Sequence, residues 1–220
     1  MVPWGRSLNE YARMFALTPR DLRGSILDCA AGPASFNAEA TAAGHHVVSS
    51  DPLYRLSAED IRDRVEETSG TLIAHAKAAR DRFVWRDFRS PEHLGEVRLA
   101  VMDRFLADFP SGLAEGRYRT DELPHLAFED DRFDLALCSH FLFLYSDRLP
   151  TDFHVAAIEE MCRVAGEARV FPLLGAYGAA SPHVEPVIST LRERGYEAAI
   201  RRVPYEFLRG GDEMLSVSGP

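Results

Sequence analysis

The residues with the clearest capacity for chemistry lie between positions 26 and 51. A short apolar run ends in Asp28 and Cys29, a turn containing Gly32 follows, and Asp51 comes about 20 residues after that glycine. A glycine lets the backbone of a turn approach a ligand closely, and a carboxylate at this spacing can accept hydrogen bonds from ribose hydroxyls. The pattern therefore indicates either a nucleotide-type ligand at the end of the first strand or an ordinary connection between a strand and a helix.

A strand, a turn, a helix and a second strand are needed to position these residues. An alanine-rich helical segment follows the turn and stops at Gly44, and the second strand is expected at 46–50. We expect Pro33 in the first turn of the helix, where its missing N–H costs nothing, so that the helix N-terminus points unpaired N–H groups at the ligand. Only Gly32 stands in the G-x-G-x-x-G frame of dinucleotide sites, so a pyrophosphate would be poorly served.

A second group of polar residues follows a later strand. Ser139 and His140 come directly after the apolar run at 135–138. In an open parallel sheet the carboxyl ends of the strands form the edge at which ligands bind. Four residues on neighbouring loops could line the same site, with simple packing as the competing interpretation for each: Tyr145, Asp147, Tyr177 and Tyr205.

Composition indicates one globular domain with an acidic charge. The 220 residues are 46% hydrophobic and 27% charged, with a formal net charge of −9. This charge argues against a general nucleic-acid binder, which needs a basic face. No apolar run reaches the roughly 18 residues of a membrane span, and residues 1–6 lack the apolar core of a signal peptide. We expect a cytoplasmic protein with no membrane partner, and the sequence leaves its oligomeric state open.

Neither the cysteines nor the histidines show the spacing of a metal site. The three cysteines form no C-x-x-C pair and are interpreted as small buried residues in a reducing compartment. Adjacent His45 and His46 are expected to point to opposite faces of a strand, which argues against a shared metal. Five other histidines have no ligand spacing with one another or with cysteine, so we predict no metal. They are His75, His93, His125, His154 and His183.

The rest of the chain has an α/β pattern that is interrupted after Asp51. Residues 7–23 have helical periodicity and would cover one face of the sheet, or would bring Tyr11 and Arg13 over the ligand site. Before the next strand, three charged helical runs are expected: 57–65, 71–82 and 93–109. A connection this long is either a solvated decoration or a lid or substrate-selecting insertion.

The pattern resumes with five strands and two helices. The last two strands have no helix between them, so we expect them to pair antiparallel as a hairpin. The strands are predicted at 118–120, 135–138, 168–171, 196–203 and 213–217, and the helices at 151–164 and 182–194.

In this order of elements the chain resembles a class I S-adenosylmethionine-dependent methyltransferase. Four features carry the resemblance: ILDCAAGPAS, Asp51, the segment DELPHLAFEDDRFDLALCSH and the closing hairpin. It implies an α/β fold, a Rossmann-like seven-stranded methyltransferase sheet that is mostly parallel with a C-terminal antiparallel hairpin and helices on both faces. Residues 1–220 would form a single domain, with a helical insertion or cap between strands 2 and 3 at about 55–115.

The resemblance also implies S-adenosyl-L-methionine as the cofactor. The turn from Asp28 to Gly32 would face its methionine part, although Ala30 and Ala34 replace two glycines of the family motif. The methionine carboxylate would need only backbone N–H groups and a nearby cation. Asp51 would hold the ribose hydroxyls, and Tyr11 would reach over the site.

Further residues would bind the base and surround the sulfonium. Pro52 would border the adenine, and Leu123 would donate a backbone N–H to it. The acid near the adenine amino group falls on Glu122, with Asp121 as the alternative if the turn differs by one residue. Ser139 and His140 would lie nearest the sulfonium.

Methyl transfer from a sulfonium is a direct displacement, so positioning and desolvation can supply most of the acceleration. A base is needed only when the acceptor is a protonated oxygen, sulfur or nitrogen. His140 is the first catalytic candidate because imidazole titrates near neutrality, and its alternative role is to shape the cofactor pocket. Tyr145 is the second candidate.

Three other functions share part of the pattern. An NAD(P)-dependent Rossmann oxidoreductase shares Asp51, but the missing glycines and the terminal hairpin count against it. A protein that binds S-adenosylmethionine or S-adenosylhomocysteine without turnover fits the degenerate turn. A nucleic-acid methyltransferase would need an N-P-P-Y-like element where this chain has residues 138–141, CSHF. We therefore favour methyl transfer to a small-molecule acceptor and expect no nucleic-acid partner.

Overall fold

A computed structural model describes residues 4–219 of the chain, without the side chains at positions 68, 69, 72 and 75. Seven strands form one sheet: β1 (Ser25–Cys29), β2 (His46–Ser50), β3 (Tyr118–Arg119), β4 (Leu135–Ser139), β5 (Glu167–Phe171), β6 (Glu197–Arg202) and β7 (Glu213–Ser218). Their order is β3-β2-β1-β4-β5-β7-β6. β1 to β5 pair in parallel, and β7 runs antiparallel to both β5 and β6. The predicted mostly parallel sheet with a terminal hairpin is confirmed.

Helices cover both faces of this sheet. They are α1 (Leu8–Met14), α2 (Phe36–Ala42), α3 (Ala58–Ala78), α4 (Pro91–Ala114), α5 (Thr151–Val164) and α6 (Val184–Glu193). Successive side chains of a strand point to opposite faces, and β1 follows this rule. Leu27 lies in a core cluster with residues of α5 and α6, whereas Ile26 lies in a cluster with residues of α1, α2 and α4. Of the helices described, none is both long and apolar enough to cross a bilayer.

The connection between β2 and β3 differs in detail from the sequence prediction. The two runs expected at 57–65 and 71–82 form one helix, α3. The single glycine between them, Gly70, destabilises a long helix too little to end it. The third run continues as α4 through Pro110 to Ala114. A Cβ on Gly95 of α4 would lie 2.7 Å from a methyl carbon of Ile73 on α3, so this glycine permits close packing of the two helices.

A buried carboxylate joins the N-terminal segment to α4 and to the β6–β7 loop. Glu10 forms a capping box with Ser7 at the start of α1. Its two oxygens accept hydrogen bonds from Arg98 of α4, both at 2.7 Å, and from the Tyr205 hydroxyl at 2.9 Å. Burial alone would raise the pKa of Glu10, but the Arg98 guanidinium outweighs it and lowers this pKa to about 2. The carboxylate is therefore ionised at neutral pH.

We expect Glu10→Gln to lower the free energy of unfolding by about 3 kcal/mol at pH 7, because it leaves the buried Arg98 without a counter-ion. The Glu10 pKa is below its unfolded value, so the stabilisation is present above about pH 4.5 and is lost as the pH falls toward 2. Urea unfolding of both proteins between pH 7 and pH 3 should show the difference shrinking. Glu92→Gln, which removes an exposed ion pair between α3 and α4, is the control. A Glu10→Gln variant as stable as the wild type would contradict this role.

Candidate functional site

A cavity of about 870 Å³ opens at the carboxyl ends of the parallel strands. This volume is near the top of the range of about 300 to 1,000 Å³ that is usual for small-molecule sites. Its walls come from the segments that follow β1, β2, β4 and β5, from the β6–β7 loop, and from α3 and the residues after it. The cavity therefore lies where an open α/β sheet binds its ligands.

Of the residues predicted to bind the cofactor or to act in catalysis, all but one line this cavity. The residues that line it are Tyr11, Ala30, Gly32, Asp51, Pro52, Asp121, Glu122, Leu123, Ser139, His140 and Tyr145. Asp28 is the exception, because it is fully buried and does not line the cavity. The Tyr11 hydroxyl donates to Asp28 Oδ1 at 3.1 Å, while Oδ2 is buried without a hydrogen bond. Burial raises the pKa of Asp28 well above its usual range.

The first turn has the backbone geometry of a glycine-rich loop although it contains one glycine. Ala30 and Gly32 have φ of +52° and +56°. The left-handed region costs a residue with a Cβ on the order of 1 kcal/mol, so Ala30 holds a conformation in which glycine would be unstrained. A Cβ on Gly32 would meet nothing within 4 Å, because the cavity is open above it.

Pro33 does not lie in the first turn of a helix, as the sequence predicted. Helix α2 begins only at Phe36, since Pro33, Ala34 and Ser35 are still needed to complete the turn after the two residues with positive φ. Ser35 at the N-cap makes no capping bond and donates instead to Glu39 Oε1 at 2.6 Å. The helix therefore presents no unpaired N–H groups directly after Pro33, contrary to the prediction.

Asp51 ties the end of β2 to the first turn. Its Oδ2 accepts the Gly32 N–H at 2.9 Å, and its Oδ1 accepts the Leu53 N–H at 2.7 Å. Burial raises the pKa of Asp51, while the two N–H donors oppose that shift. Each carboxylate oxygen has a further lone pair with which it can accept a hydroxyl from the cavity side.

The two candidate acids of the β3–β4 connection differ in how far neighbouring residues already engage their carboxylates. The Asp121 carboxylate accepts the Ala127 N–H at 3.1 Å and lies 3.4 Å from Arg119 Nε. Glu122 is exposed, and its closest ion-pair contact is Arg55 at 3.7 Å. The geometry thus leaves Glu122 more available to a ligand than Asp121.

Ser139 and His140 form the floor at the end of β4. His140 has φ of +54°, and its N–H donates to the Phe171 carbonyl at 2.6 Å. The Nδ1 atom lies 2.8 Å from Ser139 Oγ, and Nε2 has no hydrogen bond with any residue of the described chain. Burial, followed by the positive charges of Arg6 and Arg98, holds the pKa of His140 well below its usual range. The imidazole is therefore neutral at physiological pH.

Arg6 lines the cavity and was missed by the sequence analysis. Its Nη1 donates to the Trp4 carbonyl at 2.8 Å, and its Nε is buried without a partner. Within residues 4–219 Arg6 takes part in no ion pair, and its main charged neighbour is Arg98. Burial, followed by this like charge, lowers the Arg6 pKa. A single arginine ahead of a helix cap offers no spacing pattern by which sequence could have selected it.

The other loop residues divide between the cavity and the surface. Tyr205 lines the cavity, whereas Tyr177 is 71% exposed and, like Asp147, does not contribute to its walls. Arg13 does not reach over the site, because it pairs with Asp87 at 3.0 Å. Phe83 and Phe207 line the cavity without having been predicted, since their contact depends on long-range folding.

The described side chains contain no group of three or more metal-ligating residues. The His75 side chain lies outside them, and the absence of a metal stays a prediction.

Comparison with known proteins supports the assignment of the fold. No protein-family model matches the chain. The uncharacterized protein MJ0045 of Methanocaldococcus jannaschii is 32% identical over 214 residues, which cover 97% of this chain and 94% of the relative. The magnesium protoporphyrin IX methyltransferase of Synechocystis PCC 6803 has a TM-score of 0.51 both with bound S-adenosylmethionine and with bound S-adenosylhomocysteine. These two structures are 13% and 15% identical to the chain, cover 97% of it, and are themselves covered over 78% and 82% of their length.

We expect the wild type to lose about 1 kcal/mol of stability relative to His140→Asn as the pH falls from 7.5 to 5.5. The folded pKa of His140 lies below the unfolded value near 6.5, so the unfolded state binds the extra proton and the neutral ring stabilises the fold only above that pH. Asparagine tolerates the positive φ at this position. Urea unfolding at several pH values measures the difference, with His125→Asn as the control for loss of an exposed imidazole. Parallel pH profiles for wild type and His140→Asn would refute a neutral His140.

Proposed function

We propose that this chain, which belongs to the family of the Methanocaldococcus jannaschii protein MJ0045 and has the class I methyltransferase fold, uses S-adenosylmethionine to methylate a small organic acceptor. The observation that carries the proposal is the cavity itself. It gathers the Asp51 carboxylate, the open turn at Gly32 and the Ser139–His140 pair at one edge of the sheet. The resemblance to class I methyltransferases implied a role for each of them in binding this cofactor.

The residues present suit the chemistry of the cofactor from one end to the other. At the adenosine end, Asp51 has lone pairs left for ribose hydroxyls, and Glu122 would accept the adenine amino group. At the amino-acid end, Gly32 has open space beside it, and a Cβ at this position would take up part of the room that the ligand needs. The Arg6 guanidinium, which has no carboxylate partner in the described chain, would bind the methionine carboxylate.

Asp28 and Tyr11 would complete the amino-acid end. The unpartnered Oδ2 of Asp28 is a buried acceptor, and such an atom costs free energy until it gains a donor. Tyr11 separates this carboxyl group from the cavity, and its ring is stacked on Phe36 with centroids 4.2 Å apart. We assign the binding of the cofactor's ammonium group to the Tyr11 hydroxyl, which lines the cavity and has a lone pair free because it donates its proton to Asp28. Asp28 acts behind it as a positioning residue.

S-adenosylmethionine supplies a methyl group on a positively charged sulfur, which needs no further activation. The protein's task is to hold the acceptor in line and to exclude water. His140 would orient the acceptor through Nε2, because Nδ1 is engaged by Ser139. Its low pKa makes it a weak base, so acceptors with a free lone pair or an already ionised nucleophile are favoured. Tyr145, which is partly buried at the same wall, would bound the acceptor.

Asp51→Asn should weaken S-adenosylhomocysteine binding about tenfold or more, because a hydrogen bond to a charged group contributes about 1.5 to 3 kcal/mol. Isothermal titration calorimetry of wild type and variant gives the ratio. Asp131→Asn is the matched control, since Asp131 is exposed, lies outside the cavity and has a positive φ that asparagine accepts. Equal affinities for the wild type and Asp51→Asn would place the ribose elsewhere.

Arg6→Met should weaken S-adenosylhomocysteine binding about tenfold but leave the affinity for 5′-methylthioadenosine, which lacks the carboxylate, within twofold. The same calorimetric titrations compare the two ligands. Arg20→Met, which removes an exposed arginine outside the cavity, is the control. If Arg6→Met weakened both ligands equally, Arg6 would not be the carboxylate partner.

A further inference from the structure

The cavity has a second half, which the cofactor residues do not occupy. The strand order places β2 and β3 on one side of β1, and β4, β5 and the terminal hairpin on the other. The second half lies toward the hairpin, and we call it the aromatic chamber. Six of its lining residues define it: Phe83, Phe141, Tyr145, Phe171, Tyr205 and Phe207.

Charge is distributed unequally between the two halves. The carboxylates Asp51, Asp121 and Glu122 enter the cavity from the β2 end and the β3–β4 connection. The lining residues that follow β4 and β5 or come from the β6–β7 loop carry no formal charge in the described chain, because His140 is neutral. Arg82 lines the cavity next to Phe83, so the charge that borders the aromatic chamber on that side is positive. The six residues of the chamber itself offer ring faces and edges rather than ionic partners.

The wall of the chamber is fixed by pairing between two distant segments. The Val84 N–H donates to the Phe207 carbonyl at 2.8 Å, and the Arg209 N–H donates to the Arg82 carbonyl at 2.9 Å. The rings of Phe83 and Phe207 are stacked with centroids 4.7 Å apart and an angle of 13° between their planes. The stack offers its edges and remaining faces to the cavity, and aromatic ligands pack against such surfaces by offset stacking or edge to face. Because the rings are already ordered, little side-chain freedom is lost when a planar aromatic ligand binds.

The chamber adjoins the reacting edge through a chain of ring contacts. His140 meets Phe171 edge-on at 5.4 Å, and Phe171 meets Tyr205 edge-on at 5.9 Å. Aromatic faces also attract cations. Here, however, Arg6 lies near the chamber without an anionic partner in the described chain, and the cofactor's sulfonium would add a second positive charge. Both charges oppose a cationic ligand.

We propose that the aromatic chamber binds the methyl acceptor, and that the acceptor is a planar aromatic molecule without a positive charge. This inference rests on the proposed methyltransferase function. It predicts selection by shape and by charge, and each can be tested without knowing the natural acceptor.

Three probes of similar size separate these properties. 1-Naphthol is planar and neutral, decahydro-1-naphthol is saturated and not planar, and 1-naphthylmethylamine is planar and cationic. We expect 1-naphthol to bind at least tenfold more tightly than either of the others to protein saturated with sinefungin, a cationic cofactor analogue. If the saturated alcohol bound as tightly as 1-naphthol, the chamber would bind apolar molecules without regard to shape. If the amine bound as tightly as 1-naphthol, the aromatic rings would accept a cation. Either result would overturn the inference.

Ala176→Trp tests the location. Ala176 is exposed yet lines the cavity, so a large side chain there can fill the chamber without disturbing the core. The variant should lose at least tenfold in 1-naphthol affinity while sinefungin affinity stays within twofold. The control Tyr177→Trp places the same ring at the neighbouring position outside the cavity. Unchanged 1-naphthol affinity in Ala176→Trp would refute the assignment of the chamber.

The cofactor proposal and this inference fail in different ways. Absence of sinefungin and S-adenosylhomocysteine binding would refute the proposed function, and titrations of the cofactor-free protein would still measure the chamber. Tight cofactor binding without preference for 1-naphthol would refute the chamber alone.

Discussion

The cavity depends on one buried ion pair, between Glu10 and Arg98. The two residues are 88 positions apart, and the Tyr205 hydroxyl that completes the group is 195 positions from Glu10. Arg98 also donates to the Gly5 carbonyl and lies 5.1 Å from the centre of the Phe88 ring. The N-terminal segment and the β6–β7 loop, which both line the cavity, are thus fastened at a single point to α4. A buried pair of this kind constrains geometry more than it adds net stability.

This pair also sets the electrostatics of the cavity. Because Arg98 and Tyr205 use both oxygens of Glu10, Arg6 forms no direct ion pair with this carboxylate, although the negative charge of Glu10 still acts on it. Arg6 contributes a positive charge to the cavity, and this charge adds to burial in lowering the pKa of His140. The acidic end of the cavity lies across the sheet at Asp51 and Glu122. A zwitterionic, elongated ligand with an adenosine at one end would match this separation of charge.

Elements governed by local pattern could be predicted from sequence. The buried strands β1 and β4 were found because interior parallel strands are continuous apolar runs, and α5 was predicted with its observed bounds. Asp51 and Gly32 were found because their spacing has a physical meaning. Ala30 shows why the turn was hard to interpret. Its φ of +52° is a conformation typical of glycine, and an alanine in the sequence does not indicate it.

Features that depend on long-range contacts could not be predicted. By sequence alone, Glu10 is a candidate helix-capping residue and Arg98 is one charged residue on an amphipathic helix. No sequence pattern indicates that the two form an ion pair. The role of Arg6 becomes apparent only once it is known that both oxygens of Glu10 accept hydrogen bonds from Arg98 and Tyr205. The contact of Phe83 with Phe207 likewise requires the folded hairpin. The start of α2 after Ser35 and the continuity of α3 were missed because proline and glycine mark boundaries only statistically.

The binding site of the cofactor can be observed directly in a crystal structure with S-adenosylhomocysteine. We expect the ligand in the cavity at the carboxyl edge of the sheet, with its ribose hydroxyls on Asp51, its carboxylate on Arg6 and its sulfur facing His140. The aromatic chamber should remain unoccupied by this ligand. A ligand bound elsewhere, or one whose carboxylate and ribose exchange these positions, would contradict this placement of the cofactor.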